Sequence, residues 1–370
     1  MARLMPSILL LLASPSLAYK PLSDSFLQQT PSFSDADLDT DLVAPLLRLP
    51  SRAAGTPGHA AAQAHLAGFF ATELPAWTME WQNITEAVNS TGHTAQHLVF
   101  RREPPWTRPG QANLLTLAAR YDASGPAAAV ACALLMHAAR SVDRFTAQMY
   151  REMEELGEGG TVAMDMGMQL VFLDGGRSAS SASAGPASLA AAWENATNPA
   201  LPASSYGYPN RLNQISLLVL LDGLGIQSVR GPGFSPDPVP SRYPTTHWTY
   251  RAAATIERRL RSLDLLEGDS SADQPLLPDD QTPVLQSILA ASRRAGSLAT
   301  SSDYLPFMRR GVSVLPLMPD RIDQGYGNNS RSSSNGTTPV VDYPTAIDWS
   351  RIVTAFVLEW LDMMEVEPVP

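Results

Sequence analysis

Three apolar runs of strand length, each followed within a few residues by an aspartate, constrain this chain more than any other feature. They are Leu114-Leu115-Thr116-Leu117-Ala118-Ala119 before Asp122, Met168 to Leu173 before Asp174, and Ile215 to Leu221 before Asp222. Such short, nearly unbroken apolar runs suit strands buried on both faces. Val312 to Leu315 reads as a further strand. Between the runs lie segments of helical period, at Gly58 to Thr72, 127–141, Thr246 to Leu263 and Ala346 to Met363. Strands alternating with helices predict an α/β fold of three layers, α/β/α, around a central mixed, mostly parallel sheet. In such sheets ligands gather beyond the carboxyl ends of the strands. Asp122, Asp174 and Asp222 are therefore expected along one rim. One aspartate after a strand is ordinarily a turn residue, but three on one rim point to a site.

The first residues set the compartment. Arg3, the apolar run Ile8 to Leu12 and the small residues Ser16 and Ala18 read as a signal peptide over 1–18. That run is too short to span a bilayer, and no later stretch reaches about 20 uninterrupted apolar residues, so no membrane span is expected. Residues 19–40, rich in Ser, Asp and Pro, read as an extended N-terminal arm, and 41–365 as a single domain. Asn83, Asn89, Asn195, Asn328 and Asn335 each begin an Asn-x-Ser/Thr triplet without Pro, which makes them glycosylation candidates. A secreted, extracellular protein is the expectation. Cys132 is the only cysteine, so no disulfide within the chain can hold the fold. The formal net charge of −10 disfavours nucleic acid as a partner. Stretches 177–188, 268–283 and 327–339 have the Ser, Pro, Asp and Gly content of surface loops.

Several blocks, in order, resemble one family over roughly residues 22–363. Gly55-Thr56-Pro57-Gly58 resembles its entry motif, and Phe70 to Trp77 follows as in fungal secreted members. Met136 to Ser141, Val219 to Gly225, Thr245 to Trp248, Leu305 to Val312, Asp348 to Arg351 and Val353 to Trp360 complete the series. The family is the secreted, fungal-type glutaminyl-peptide cyclotransferases, which have a zinc-aminopeptidase-like fold. The resemblance implies cyclisation of an N-terminal Gln to pyroglutamate with release of ammonia, and peptides with an N-terminal Gln as partners. It leaves the oligomeric state open.

The family's chemistry uses one zinc, held by Asp, Glu and His, with a neighbouring Glu as proton shuttle. Zinc polarises the γ-carbonyl, and the Glu moves the proton from the α-amine to the departing ammonia. At the matching positions this chain departs from the pattern. The family's His-Tyr-Asp reads Arg120-Tyr121-Asp122, and the loop after it is shortened to Ala123-Ser124-Gly125-Pro126. The metal-ligand positions fall on or near Ala127, Arg177 and Gly327, none of which supplies a zinc donor. The proton-shuttle Glu is replaced by Gly176. The acidic pair of another block reads Ser302-Asp303, and Pro316 stands where a histidine is expected. Asp222 is the retained catalytic position, with Asp174 kept as a turn residue. Among the histidines, His93 and His97 precede a predicted strand. His59 and His65 are six apart, which does not suit one helical face, and His137 and His247 fall on family helices away from the metal.

The expectation is therefore a cyclotransferase homologue of impaired turnover that binds no cofactor where the family binds zinc. Arg120 and Arg177 are expected to fill the vacated site by pairing with Asp122, Asp174 and Asp222. The alternatives are an active zinc-dependent cyclotransferase or aminopeptidase with atypical ligands, and a secreted non-catalytic peptide-binding protein.

Overall fold

The computed structural model describes residues 21–85, 94–157, 165–175, 184–198, 207–226, 246–268, 275–277, 303–318 and 340–361. The three apolar runs form strands β3 (Asn113–Arg120), β4 (Met166–Leu173) and β5 (Ile215–Leu221). They pair in parallel at the centre of a six-stranded sheet. The other strands are β1 (Thr78–Thr85), β2 (Thr94–Arg102) and β6 (Val314–Leu317), giving the order β1-β2-β4-β3-β5-β6. β6 joins β5 in parallel, whereas β1 and β2 run antiparallel at the other side. The mixed, mostly parallel α/β sheet is thus as the sequence leads one to expect. The strand expected at Val312 to Leu315 lies two residues further on, beginning at Val314, which pairs with Leu218.

Alternate strand residues divide between two layers, as the two-residue period of a strand requires. Leu115, Leu117, Leu170, Phe172, Leu217 and Val219 face one core. Ala118, Val171, Leu173, Leu218 and Leu220 face the other. The first core is covered by helices α3 (Pro57–Glu73), α4 (Pro126–Leu156) and α6 (His247–Ser262), together with the C-terminal helix that ends at Trp360. Burying each large apolar side chain contributes about 1.5–3 kcal/mol. Phe70 of α3 stacks on Phe100 of β2, with Phe172 edge-on to both. The second layer is thinner. It holds α5 (Ala184–Asn195), through Leu189 and Trp193, and the short α7 (Leu305–Met308).

The Gly-Thr-Pro-Gly block starts α3 for local reasons. Thr56 is the N-cap, its hydroxyl accepting the His59 N–H at 3.2 Å, and Pro57 occupies the first turn. Gly58 lies so close to Ser51 that an added Cβ would meet its carbonyl oxygen at 1.9 Å.

Over residues 21–40, the segment expected as an extended arm holds α1 (Asp24–Gln29) and the start of a π-helical turn (Asp37–Asp41), and α2 (Val43–Leu47) follows. Its polar composition conceals Leu22, Phe26, Leu27 and Phe33, all buried in the first core. Ser23 caps α1 by accepting the Phe26 N–H. The segment is fastened to the C-terminal helix α8 (Tyr343–Trp360). The Leu22 N–H donates to Glu359 at 3.0 Å, the Phe33 N–H to Ser350 Oγ at 2.7 Å, and Arg351 to Ser32 Oγ at 3.1 Å. Likewise α5 begins inside the stretch read as the loop 177–188, because Leu189 and Trp193 give it an apolar face. The predicted loop 327–339 and the predicted signal peptide lie outside the described residues, as do residues 269–274 and 278–283 of the remaining predicted loop.

Asp348 ties the segment after α6 to α8, accepting the N–H of Glu267 at 2.7 Å and of Gly268 at 3.1 Å. Asp348→Ala is expected to cost about 2 kcal/mol in urea unfolding, the range for hydrogen bonds to a charged acceptor. A change below about 0.5 kcal/mol would place it among ordinary surface substitutions.

Candidate functional site

β3, β4 and β5 deliver their following residues to one rim of the sheet, and there Arg120 is the central cation. It is the last residue of β3, opposite Leu173 at the end of β4. Its guanidinium forms a two-pronged pair with Asp122, Nε to Oδ1 and Nη2 to Oδ2, both at 3.0 Å. On its other side, Nε lies 3.7 Å from Asp303 Oδ2. Asp303 sits just before α7, so the pair joins positions 183 residues apart. Asp222, after β5, is exposed, and its N–H donates to the Leu317 carbonyl of β6 at 3.1 Å. The Arg120 side chain also covers Gly175, where an added Cβ would lie 1.6 Å from Nη2. A side chain at 175 and the present place of Arg120 exclude each other.

The charges act strongly on one another because the setting is largely dry. Burial alone lowers the Arg120 pKa, but the carboxylates of Asp303, Asp122 and Asp222 outweigh it and hold the guanidinium charged. Burial pushes Asp303 up to about 7. Arg120 opposes that rise, while Asp222 and Asp122 add to it. Asp222 is hemmed in by protein, which raises its pKa against the pull of Arg120 and the Gly223 N–H. Its open face to water weakens that effect.

A pH dependence follows for Asp303. Unfolded, it titrates near 4 as an ordinary carboxyl, and folded at about 7. Between those values the folded chain holds a proton that the unfolded chain has released. The contribution of Asp303 to stability therefore falls as pH rises from about 4 to about 7. Asp303→Asn is expected to remove that part of the slope in urea unfolding measured across this range. An unchanged slope would mean that Asp303 is ionised throughout.

Behind the rim lies a second polar network. The Tyr121 hydroxyl donates to the Gln96 carbonyl at 2.7 Å, accepts from Gln63 at 2.8 Å and meets His59 Nε2 at 2.9 Å. Burial, with Asp174 adding to it, raises the Tyr121 pKa, so this residue is a phenol rather than a phenolate. Asp174 is fully buried, accepts the Gln96 N–H at 2.9 Å, and lies 3.5 Å from His59 Nε2. Its own N–H donates to His97 Nδ1 at 3.1 Å. His97 lies within β2 rather than ahead of it, and burial pushes it down to about 4. Hydrogen bonding to Asp174 N–H makes Nδ1 the acceptor, so Nε2 carries the proton. Cys132 lies under Arg120, donates weakly to its carbonyl at 3.4 Å, and is pushed by burial up to about 12, an inert thiol.

The sequence-derived positions divide accordingly. Asp122 and Asp222 meet at the rim with Arg120, whereas Asp174 turns inward. Ala127 opens α4, where its methyl packs on the first core. Gly176, Arg177 and Gly327 lie outside the described residues, as do Asn89, Asn328 and Asn335. Asp303 is the site residue that the sequence reading passed over, although the acidic pair containing it was a usable signal.

These donors do not fit zinc. A fixed guanidinium stands between Asp122 and Asp303, and a cation placed there would meet like charge instead of a ligand set. Among the described residues, no group of three or more His, Cys, Asp or Glu side chains could hold a metal ion.

No family model matches the chain. The architecture is that of the glutaminyl cyclases. A crystal structure of the Macrostomum lignano glutaminyl cyclase superposes with a TM-score of 0.62 at 18% identity, covering 95% of this chain and 96% of the other. The sequence relatives are more specific. The glutaminyl-peptide cyclotransferase-like protein of Bos taurus is 27% identical over 329 residues, 84% of this chain and 73% of its own length. The glutaminyl-peptide cyclotransferase of the same organism is 25% identical over 332 residues, 85% and 80% of the two chains. That of Bothrops jararaca is 28% identical over 240 residues, spanning 55% of its length. The chain is a homologue of the glutaminyl-peptide cyclotransferases.

Proposed function

We propose that this chain is a secreted glutaminyl-peptide cyclotransferase homologue whose turnover is impaired, and whose rim has become a metal-free recognition site. The observation that carries this reading is Arg120, held by Asp122 at 3.0 Å in two bonds and flanked by Asp303. A protein cation supplies there the positive charge that zinc supplies in the family. It cannot do zinc's work, because a guanidinium locked to two carboxylates has no open coordination position for a substrate carbonyl. The exposed Asp222 remains able to accept hydrogen bonds from the α-ammonium of a peptide, and a peptide with an N-terminal Gln is the ligand that the homology suggests. The apolar leader and the Asn-x-Ser/Thr triplets support secretion. No helix among the described residues is long and apolar enough to cross a membrane.

The test combines composition with turnover. The chain is purified without chelator, zinc is counted by elemental mass spectrometry before and after soaking and washing, and ammonia release from a Gln-initiated peptide is followed. Zinc far below one per chain, with no ammonia above background, is the expected result. One zinc per chain with steady ammonia release would establish the alternative, an active enzyme with atypical ligands. Weak binding of the same peptide without turnover, lost in Asp222→Asn, would support recognition alone.

A further inference from the structure

β1 is the edge strand of the sheet, and its two faces are treated differently. Toward α5, Glu80 pairs with Arg211 at 2.9 Å and Arg101 at 3.4 Å, and Ile84 packs on the second core. The other face carries Met79, Trp81, Asn83 and Thr85, all exposed, with Met79 at 46% and Trp81 at 39%. Their cross-strand partners include Phe100 and Leu98, both fully buried. The first core therefore runs outward along the sheet and ends in an uncovered indole. An edge strand is normally protected by charge, proline or a bulge. The open face of β1 carries none of these: its pairing with β2 is unbroken from Thr78 to Thr85, and its side chains are uncharged.

What this face does carry is the triplet Asn83-Ile84-Thr85. Residues two apart in a strand share a face and stand about 7 Å apart, so Asn83 and Trp81 are same-face neighbours. The other triplet among the described residues is placed differently. Asn195 ends α5, and its Nδ2 donates to the Ala191 carbonyl at 2.9 Å.

We propose that Asn83 carries an N-linked glycan whose first sugar seats on the Trp81 indole and closes the open face of β1. This rests on the secretory reading above. In the modifying step, Asn83 Nδ2 attacks C1 of the reducing-end sugar of a lipid-diphosphate-linked oligosaccharide. A C1–N bond forms, the C1–O bond to the diphosphate breaks, the amide loses one proton, and the lipid diphosphate leaves. The donor and the transferase belong to the host's secretory pathway. The seating follows from complementarity: the C–H bonds on one face of a pyranose carry partial positive charge, and the indole face is negative.

The full chain is expressed in a eukaryotic secretory host behind its own leader and, in parallel, behind a leader of established function. A glutamate-specific protease cutting after Glu80 and Glu86 isolates residues 81–86 for mass spectrometry, free of Asn89. The peptide is expected to carry sugar, and the N-acetyl methyl signal of that sugar to be shifted upfield by the indole ring current. Trp81→Ser should return the signal to its unshifted position while leaving the sugar attached. Thr85→Ala should remove the sugar and promote self-association by light scattering, and adding Trp81→Ser should suppress that association. An unmodified 81–86 peptide from a chain glycosylated elsewhere overturns the proposal. So does an attached sugar with no ring-current shift, or a glycosylated wild type that dimerises through Trp81. Sugar at Asn83 only behind the second leader keeps the site and overturns the secretory reading instead.

Discussion

Arg120→Met is expected to destabilise the fold by about 3–5 kcal/mol, because it removes the cation that stands, among the described residues, between the buried carboxylates of Asp122 and Asp303. Asp122 and Asp303 are each 7% exposed, so water cannot take over the role of the guanidinium. The loss should shrink as pH falls from 8 to 5, since carboxyls without a partner take up protons and shed their mutual repulsion. Combining Arg120→Met with Asp303→Asn should recover part of the loss, and urea unfolding of the four proteins in the cycle gives the coupling between the two residues. Arg120→Lys should rescue poorly, because an ammonium cannot reproduce the two-pronged pairing with Asp122. A single variant as stable as the parent at pH 8 would mean that Arg120 points outward to water, and the proposed function would lose its main support.

Arg52→Ala carries the second large expectation, a loss of about 3 kcal/mol with local opening at the start of α4. Arg52 is only 2% exposed. Its guanidinium donates to the carbonyls of Leu46 at 2.6 Å, Ala123 at 3.0 and 2.5 Å, and Gly125 at 2.9 Å. Its own N–H donates to Ser124 Oγ at 3.2 Å. These bonds give the loop 123–126 its partners, and removing them strands carbonyls, each worth roughly 1–3 kcal/mol where buried. Hydrogen exchange should accelerate first at Ala128 to Ala131. Uniform acceleration across the sheet, with nothing special at α4, would show that Arg52 acts only through global stability.

Much of this fold was legible because its signals are local. The apolar runs of β3, β4 and β5 stand out without any knowledge of their neighbours. Thr56-Pro57 announces the start of α3 through capping chemistry alone. Ser23 caps α1 in the same way, but the Ser, Asp and Pro content of 19–40 hides Leu22, Phe26, Leu27 and Phe33, which bury there. β1 was harder to read: Thr78 to Thr85 alternates weakly, since one face is held by ion pairs and the other is open. The site was half legible. Asp122 and Asp222 follow strands, and a strand end has a known place in a parallel sheet. The grip of Asp303 on Arg120 depends on a contact spanning 183 positions, which no local pattern encodes. Asp174 shares the strand-end signal of the other two, yet it turns inward because His59, Gln96 and His97 meet it there.

The fastening of Leu22 to Glu359 and of Phe33 to Ser350 bears on how a ribosome makes this protein. Partners 337 and 317 positions apart cannot meet until almost the whole polypeptide has been synthesised. During elongation Phe26 and Phe33 emerge long before Phe145 and His137 of α4, the rings they meet, and before the α8 residues that bond the Leu22 and Phe33 N–H groups. Contacts of such long sequence separation form slowly, and exposed apolar surface in the interval invites aggregation. The segment made first is thus fastened last, once α8 has been synthesised.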